Sequence, residues 1–350
     1  MSAIEKSTST DHTHLGVLDG WRGVSICCVL AAHMLPLGPS NLRVNEAAGI
    51  LGMALFFTLS GFLITTLLLR RSQVGDFLIR RACRILPLAV VYMVMILLIT
   101  RGTLDAWIAN LTFTLNYNEQ FITTWNSPLW SLCVEVHFYI FVAALVGCLG
   151  RRGLWLLPLL ALAVTAGRVA TGETASIHTL RRVDEVLSGA TLALILSDYP
   201  AGFAARVLRG VTPWVWLTLL VASASPLCGP VQYARPYFAA LLVGSTLVQG
   251  SHVLARVLHA RTLKYVATIS FALYVIHPCV YRGWMDEGST AVRYLLKRPI
   301  SFAILFCLAH LSTFYWEARW IALGKWLTTP RTVPTTTTSP NELRSLPCGT

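Results

Sequence analysis

The sequence predicts an all-α polytopic membrane protein with about ten transmembrane helices and both termini in the cytoplasm. Hydrophobic residues make up 55% of the 350 residues and charged residues only 13%, about half the charged share of a soluble domain. The apolar residues fall into stretches close to the roughly 20 residues that a helix needs to cross a bilayer. These stretches lack the alternation of apolar and polar residues that a transmembrane β-barrel requires. The composition therefore excludes a soluble protein, and the pattern favours helices.

The membrane domain is predicted to span residues 17–326. The polar residues 1–16 are followed by no small-residue cleavage site, so we expect a cytoplasmic N-terminus and not a removed signal peptide. Residues 327–350 are rich in Thr and Pro, which predicts a disordered cytoplasmic tail. The amphipathic segment 104–121 is expected to lie along the membrane interface or to re-enter the membrane. The ten apolar stretches are 17–37, 48–69, 85–100, 128–149, 154–170, 183–198, 211–227, 235–251, 263–281 and 300–324.

The few charged residues indicate how the spans are oriented. The formal net charge is +12, and Lys and Arg are more numerous in the loops that would share a side with the N-terminus. The positive-inside rule then places both termini in the cytoplasm. No basic block alternates with aromatic residues, so nucleic acid is not an expected partner. The nine Cys residues show no C-x-x-C spacing, and we expect neither a metal site nor a disulfide framework.

The first span carries three ionisable residues, Asp19, Arg22 and His33. Charged groups inside a bilayer cost several kcal/mol, so each is a functional candidate. Asp19 and Arg22 lie three residues apart and can pair on one turn of a helix. Arg22 and His33 lie eleven residues apart, which is three turns plus about 20°, so they share one stripe of the helix with about 16 Å of rise between them. This spacing predicts a permanent cation near the cytoplasmic mouth and an imidazole deeper in the membrane.

An arginine cluster follows the second span. Arg80, Arg81 and Arg84 would project from a short helix towards one spot. Planar guanidinium groups suit the paired oxygens of a phosphate. A topology signal that binds lipid headgroups explains the cluster equally well.

Four more ionisable residues fall within or beside predicted spans. Glu135 lies some seven residues into the fourth span, where a carboxylate must pair, protonate or face a water-filled cavity. His137 lies two residues further on and cannot share a helix face with Glu135. Arg182 and His277 fall at the outer ends of the sixth and ninth spans, where each is either a site residue or an interface anchor.

Seven motifs in this order resemble those of the membrane acyltransferase-3 family. Its members are integral membrane O-acyltransferases that act on bacterial polysaccharides, nodulation factors, peptidoglycan and some antibiotics. The resemblance covers residues 18 to about 326 and begins with the Arg-x10-His pattern from Arg22 to His33. The other six motifs are FFTLSGFLIT (56–65), FLIRRACRILP (77–87), SPLWSLCVEVHFY (127–139), RRVDEVLSGATLA (181–193), ISFALYVIHP (269–278) and the closing YWEARW.

The resemblance implies roles for individual residues. It implies that acyl-CoA, with acetyl-CoA as the expected donor substrate, arrives from the cytoplasmic side, with no permanently bound cofactor and no metal. His33 and Glu135 are assigned to catalysis. The donor-binding residues are Arg22, Ser60, Gly61, Arg80, Arg81 and Arg84, and the acceptor-side residues are Asp19, Trp130, Arg182 and His277. The sequence departs from the usual pattern after Glu135, where Val136 and His137 stand in place of a second acidic residue and a Gln.

We therefore expect a multi-pass O-acyltransferase, specifically an O-acetyltransferase, of the bacterial cell membrane that acylates a hydroxyl of a glycan or a lipid-linked sugar. His33 is the candidate general base, because an alcohol is a weak nucleophile unaided. Asp19 lies nearly four turns from His33, so a partner from another span, such as Glu135, would have to orient the imidazole.

Three alternatives remain open at this point. One is acylation of a secreted small molecule such as a macrolide. Another is a transporter of a polar metabolite, with the intramembrane His and Glu as a proton relay. A transporter predicts inverted symmetry and broken spans at matching positions, which the sequence does not show. The third is a degenerate acyltransferase that only binds or flips its acceptor.

Overall fold

Every regular element in the part of the chain that the structure describes is helical. This computed structural model describes residues 2–70, 73–281 and 284–329. Short 3-10 turns connect many of the helices, and π-helical turns at Val292–Lys297 and Ser312–Glu317 lie within the last long helical stretch. The α-helices are α1 (Ser2–Met34), α2 (Val44–Arg70), α3 (Val74–Ile99), α4 (Leu104–Leu111), α5 (Leu129–Leu149), α6 (Leu157–Thr171), α7 (Asp184–Asp198), α8 (Phe203–Gly210), α9 (Pro213–Ala224), α10 (Arg235–Val248), α11 (Val253–Leu258), α12 (Arg261–Thr268), α13 (Ser270–Tyr281), α14 (Arg298–Leu311) and α15 (Ala318–Leu327).

The prediction of an all-helical chain is confirmed, and each of the ten predicted spans overlaps at least one α-helix. Among the residues that the structure describes, four helical stretches are long and apolar enough to cross a membrane: Ser40–Arg70, Val74–Ile99, Leu129–Thr171 and Val292–Leu327. The number rises to six if two bent pairs, α7 with α8 (104°) and α12 with α13 (69°), each form one span. α1, which carries Asp19, Arg22 and His33, is not among the four. The protein is therefore multi-pass, while ten spans and cytoplasmic termini stay predictions.

The amphipathic segment 104–121 is helical as α4 and then continues as 3-10 turns. Leu104 and Ile108 are exposed, whereas Asn110 is buried and donates to the carbonyl oxygen of Ala106 at 2.9 Å. Thr103 accepts a hydrogen bond from the backbone N–H of Ala106 and so caps the start of the helix. The segment therefore exposes some apolar side chains and buries others, Phe113 and Leu115, beside Asn110.

Helix α2 lies near the centre of the bundle, where it packs against α1 and α7. At the crossing with α7 the two backbones are in close contact, and glycines from both helices allow it. A Cβ atom on Gly61 would lie 1.8 Å from the carbonyl oxygen of Val186, and one on Gly189 would lie 1.9 Å from that of Thr58. No side chain fits at either position, so these two glycines set the distance between the helices.

One face of α3 is covered by α15 near the end of the described chain. Gly324 of α15 lies against Cys83, to which a Cβ atom would come within 2.9 Å. Arg80 on this face donates from Nε to the hydroxyl of Thr328 at 2.7 Å. The remaining arginines of the predicted cluster lie on another face of the same helix.

Candidate active site

Two cavities lie in the bundle, separated by a narrow gap. The larger, which we call the histidine cavity, has a volume of about 800 Å³ and is lined by His33 and His277. The smaller, the arginine cavity, has a volume of about 60 Å³ and is lined by Arg22, Arg81 and Arg84. The gap between them has a volume of only about 10 Å³.

The gap shares wall residues with both cavities and so lies on the path between them. It shares Arg22, Phe56 and Ser270 with the arginine cavity. It shares Val29, Met53 and Tyr274 with the histidine cavity. The stripe of α1 from Arg22 to His33 therefore passes both cavities, with the guanidinium at one and the imidazole at the other. This is the arrangement that the spacing of the two residues predicts.

His33 occupies the last turn of α1, beside two aromatic residues of α13. Its ring centroid lies 5.3 Å from that of His277 and 6.0 Å from that of Tyr281. The rings of His277 and Tyr281 are themselves stacked, with 9° between their planes. Nδ1 of His277 lies 2.7 Å from the carbonyl oxygen of Tyr274. A carbonyl can only accept, so this nitrogen carries the proton.

The end of α1 around His33 is held by side chains from two other helices. Both amide hydrogens of Asn45 are donated, to the carbonyl oxygens of Ala32 at 2.7 Å and Leu35 at 2.6 Å. Arg298 donates from Nε to the carbonyl oxygen of Met34 at 2.9 Å. The last carbonyls of a helix have no partners within it, so these bonds fix the turn from which His33 projects.

Arg22 and Asp19 form the ion pair that their spacing predicts, with 3.2 Å between Nη1 and Oδ1. The position of Asp19 does not support its assignment to the acceptor side, because Asp19 pairs with Arg22 and lies nearly four helical turns from His33. It lines neither the histidine cavity nor the gap. Asp19 belongs with the cation at the other end of the stripe.

Arg81 and Arg84 line the arginine cavity together with Arg22. The guanidinium carbon of Arg81 lies 5.9 Å from the ring centroid of Phe77 and 5.8 Å from that of Tyr139, so aromatic rings flank it. Arg80, expected with them at the donor, does not line this cavity, because its side chain is bonded to Thr328 beneath α15. The sequence showed the spacing along α3 but not which face α15 would cover.

Ser60 and Glu135 also line the arginine cavity, where they form a buried hydrogen-bond group with Tyr139. Ser60 donates from Oγ to Oε1 of Glu135 at 2.5 Å, and the Tyr139 hydroxyl donates to the same oxygen. Gly61, assigned to the donor channel with Ser60, lies instead at the crossing with α7 and lines no part of this cavity. Adjacent residues on a helix point about 100° apart, which separates the two.

Glu135 does not lie at the histidine cavity, where the sequence placed a partner for His33. It is 6% exposed and faces the arginine cavity, with its bonds directed to Ser60 and Tyr139. The groups that do surround His33 are His277 and Tyr281. Glu135 therefore lies on the side of the gap that faces the arginine cavity.

Three of the expected acceptor residues, Trp130, Arg182 and His277, line the histidine cavity. Arg182 lies over the face of Trp130, with 5.6 Å between its guanidinium carbon and the ring centroid. Tyr274, also in the wall, donates to the carbonyl oxygen of Pro128 at 2.8 Å and contacts the hydroxyl of Ser131 at 2.6 Å. The start of α5 and the middle of α13 are thereby joined at the cavity.

Much of the remaining wall comes from the segment between α6 and α7, which the sequence analysis did not single out. Glu173, Ser176, His178 and Arg181 of this segment line the cavity. Its backbone is held by Asn116, which donates to the carbonyl oxygen of Ile177 at 3.2 Å and to the hydroxyl of Thr179 at 2.9 Å. His137, where the sequence departs from the family pattern, contacts the Thr179 hydroxyl at 2.7 Å. His137 thus supports the cavity wall from behind.

A buried group of five charged residues lies behind the same wall. Arg168 is paired with Asp184, and Arg235 donates from Nε to Glu185 at 2.8 Å. Both Arg168 and Arg235 also donate to the carbonyl oxygen of Thr174 in the wall segment. The fifth member, Arg182, lies 3.3 Å from Glu185. The side chains of the other four members, Arg168, Asp184, Glu185 and Arg235, are fully buried, so the cluster anchors the wall.

A family model described as an acyltransferase domain matches residues 15–318. The peptidoglycan O-acetyltransferase OatA of Listeria monocytogenes is 22% identical over 326 residues, which is 78% of this chain and 50% of OatA. YrhL of Bacillus subtilis, named provisionally as a peptidoglycan O-acetyltransferase, is 32% identical over 157 residues, 37% of this chain and 23% of YrhL. SACOL0978 of Staphylococcus aureus, named provisionally as an O-acetyltransferase, is 29% identical over 147 residues, 35% of this chain and 23% of that protein.

The chain thus spans about half the length of OatA and a smaller part of the other two relatives. No solved structure matches this protein.

Proposed function

The chain belongs to the membrane acyltransferase-3 family and is an O-acyltransferase; on this premise we propose that it moves an acetyl group from acetyl-CoA to a hydroxyl of a glycan in the bacterial cell membrane. Peptidoglycan is the first acceptor to test, because relatives are named for its O-acetylation. One observation supports the proposal most: Arg22 and His33, on one stripe of α1, line two cavities that meet at a gap.

The arginine cavity is the proposed donor side. Arg22, Arg81 and Arg84 converge there, and guanidinium groups bind phosphate oxygens in pairs. The arm of the donor that carries the thioester would extend from this cavity along α1 towards His33, a rise of about 16 Å. The gap of about 10 Å³ holds at most one water molecule, so donor binding must move the side chains of Phe56 and Tyr274 apart.

The histidine cavity is the proposed site of transfer. Neutral His33 takes the proton of the acceptor hydroxyl as its oxygen attacks the thioester carbonyl carbon. The tetrahedral intermediate then collapses, the carbon–sulfur bond breaks and the new ester remains on the acceptor. The proton held by His33 passes to the departing thiolate, which restores the neutral imidazole. His277 and Tyr281, packed beside the ring, hold it in position for both transfers.

The experiment compares the wild type with His33→Ala in proteoliposomes that contain labelled acetyl-CoA and peptidoglycan strands. We expect labelled ester with the wild type and loss of at least about 100-fold in rate with His33→Ala, within the range that general-base catalysis contributes. His310→Ala is the matched control, because His310 contacts Tyr265 and Phe314 and lines neither cavity. Transfer by correctly inserted His33→Ala at the wild-type rate would disprove the role of His33.

A further inference from the structure

The five buried charges behind the histidine cavity do not balance. Three guanidinium groups, those of Arg168, Arg182 and Arg235, meet only two carboxylates. Asp184 pairs with Arg168, and Glu185 is shared by Arg182 and Arg235. The cluster therefore holds one positive charge in excess.

The cluster would be electrically neutral without Arg182. Without it, Arg168 and Arg235 would pair with Asp184 and Glu185 one to one. A buried charge that is not fully compensated lowers stability, and Arg182 is only 3% exposed. Its presence is thus unfavourable for folding unless another anion completes the set.

The geometry of Arg182 shows where that anion would lie. Its Nε faces Glu185 at 3.3 Å, and its plane lies over Trp130. Nε is buried and makes no hydrogen bond, and neither terminal nitrogen is hydrogen-bonded to a partner among residues 2–70, 73–281 and 284–329. Arg168 and Arg235 are fully buried, whereas Arg182 lines the histidine cavity. The free edge of the guanidinium is therefore directed into the space that contains His33.

The carboxylates on the cavity rim do not supply the missing charge, because each has a nearer partner. Glu46 pairs with Arg43 at 2.6 Å, and Glu173 pairs with Arg181. Glu119 lies 3.0 Å from Nε2 of His178, and its side chain is 63% exposed, so solvent screens it. Glu185 is thus the single carboxylate within 4 Å of Arg182 in the part of the chain that the structure describes.

We propose that the acceptor carries an anionic group, a carboxylate or a phosphate, close to the hydroxyl that is acylated, and that Arg182 binds this group with its two terminal nitrogens. The pair would hold the acceptor against Trp130 with its hydroxyl directed to His33. This inference rests on the proposed transfer to a glycan and specifies which glycans are substrates. Neutral sugars could enter the cavity but would not form the ion pair with Arg182.

Two pairs of acceptors test the proposal and distinguish the two sources of charge. The first pair is peptide-free glycan strands of peptidoglycan, with free carboxylates or with the carboxylates converted to N-methylamides. The second pair is a polyprenyl-diphosphate-linked disaccharide and its methyl glycoside, both with amidated carboxylates. Each is offered with labelled acetyl-CoA to the wild type, Arg182→Gln, Arg182→Lys and Arg181→Gln in proteoliposomes.

We expect the wild type to prefer the charged member of one pair by at least about tenfold in kcat/KM, the value of one charge-assisted hydrogen bond. Arg182→Gln should abolish this preference, and Arg182→Lys should retain part of it. Arg181→Gln, which removes the neighbouring guanidinium that Glu173 already neutralises, should keep the preference. Binding of labelled acetyl-CoA is measured for each variant as a check that the variant is folded.

Two results would overturn the inference while leaving the transferase intact. One is equal use of charged and neutral acceptors in both pairs by the wild type. The other is an undiminished preference in Arg182→Gln. If the wild type binds the donor and acylates none of the four acceptors, the proposed glycan function fails as well, which is a distinct result.

Discussion

His33 and His277 face each other across 5.3 Å in the wall of one cavity, although 244 residues separate them in the sequence. The first stands on the last turn of α1 and the second on α13. His277 is itself oriented by its bond to the Tyr274 carbonyl. The two imidazoles thus form one packed unit with Tyr281, and the position of His33 depends on this unit.

Replacing His277 is expected to slow transfer without weakening the binding of acetyl-CoA. His277→Leu removes a ring beside His33, and a displacement of about 1 Å at a catalytic group can cost about 100-fold in rate. We expect kcat to fall by roughly 10-fold to 100-fold while acetyl-CoA affinity, measured by titration in nanodiscs, stays within about twofold. Tyr281→Phe keeps the stacked ring and should change kcat little. Wild-type kcat in His277→Leu would show that the pair has no role in catalysis.

Asn45→Ala should release the end of α1. The change removes two hydrogen bonds to the carbonyls of Ala32 and Leu35, each with a net value of about 1 kcal/mol. We expect a lower melting temperature and a fall in kcat, because His33 projects from the same turn. Asn41→Ala, at an exposed site on the neighbouring 3-10 turn, is the control. Equal effects of the two changes would refute a specific function of Asn45.

The three arginines of α3 should differ in their effect on the donor. Arg81→Gln and Arg84→Gln each remove a guanidinium from the arginine cavity, and we expect about tenfold weaker acetyl-CoA binding, more so at low salt. Arg80→Gln removes a bond to Thr328 and should leave the affinity nearly unchanged. If all three weaken binding equally, or none does, the cluster acts as a topology signal and not as a phosphate site.

Gly61→Ala should destabilise the bundle through a steric clash. The added Cβ would lie 1.8 Å from the Val186 carbonyl oxygen, which forces α2 and α7 apart at a cost of about 1–3 kcal/mol or more. Gly147→Ala on α5 is the control, because nothing lies within 4 Å of its added Cβ and alanine favours a helix by up to about 1 kcal/mol. Melting curves in detergent compare the stability of the two variants. If Gly61→Ala melts at or above the melting temperature of Gly147→Ala, the close crossing of α2 and α7 is contradicted.

The sequence could predict those parts of the site that depend on one helix. Arg22 and His33 lie eleven residues apart on α1, and helical geometry alone aligns them. The pairing of Asp19 with Arg22 followed from the same rule. The positions of Glu135, Gly61 and Arg80 depended instead on which neighbouring helix covers each face, and this information is not contained in a local pattern.

Other parts of the site had little or no signal in the sequence. Asn45 is a single polar residue after a loop, and its contact with α1 arises only because α2 turns back beside it. The wall segment before α7 looked like a short connection. Its one detectable signal was the density of charged residues on both sides of it, Arg168 before it and Arg181, Arg182, Asp184 and Glu185 after it.

The family match also argues against one of the three alternatives that were open from the sequence. A transporter with His and Glu in one relay is not supported, since the chain belongs to an acyltransferase family and the structure places His33 and Glu135 at different cavities. Tailoring of a secreted small molecule would use the same donor side. The acceptor pairs described above test the glycan directly.

The narrow gap between the cavities bears on whether ions and protons can pass through the protein. A space of about 10 Å³ holds at most one water molecule, so we expect the protein without bound donor to pass no hydrated ion and no continuous file of water between the cavities. If the proposed transfer takes place, Tyr274 and Phe56 would close the space between the cavities until the arm of the donor passes between them, and acetyl transfer would need no open path for protons. Widening the gap with Phe56→Ala should make vesicles leaky to protons, which a pH-sensitive dye inside them would record.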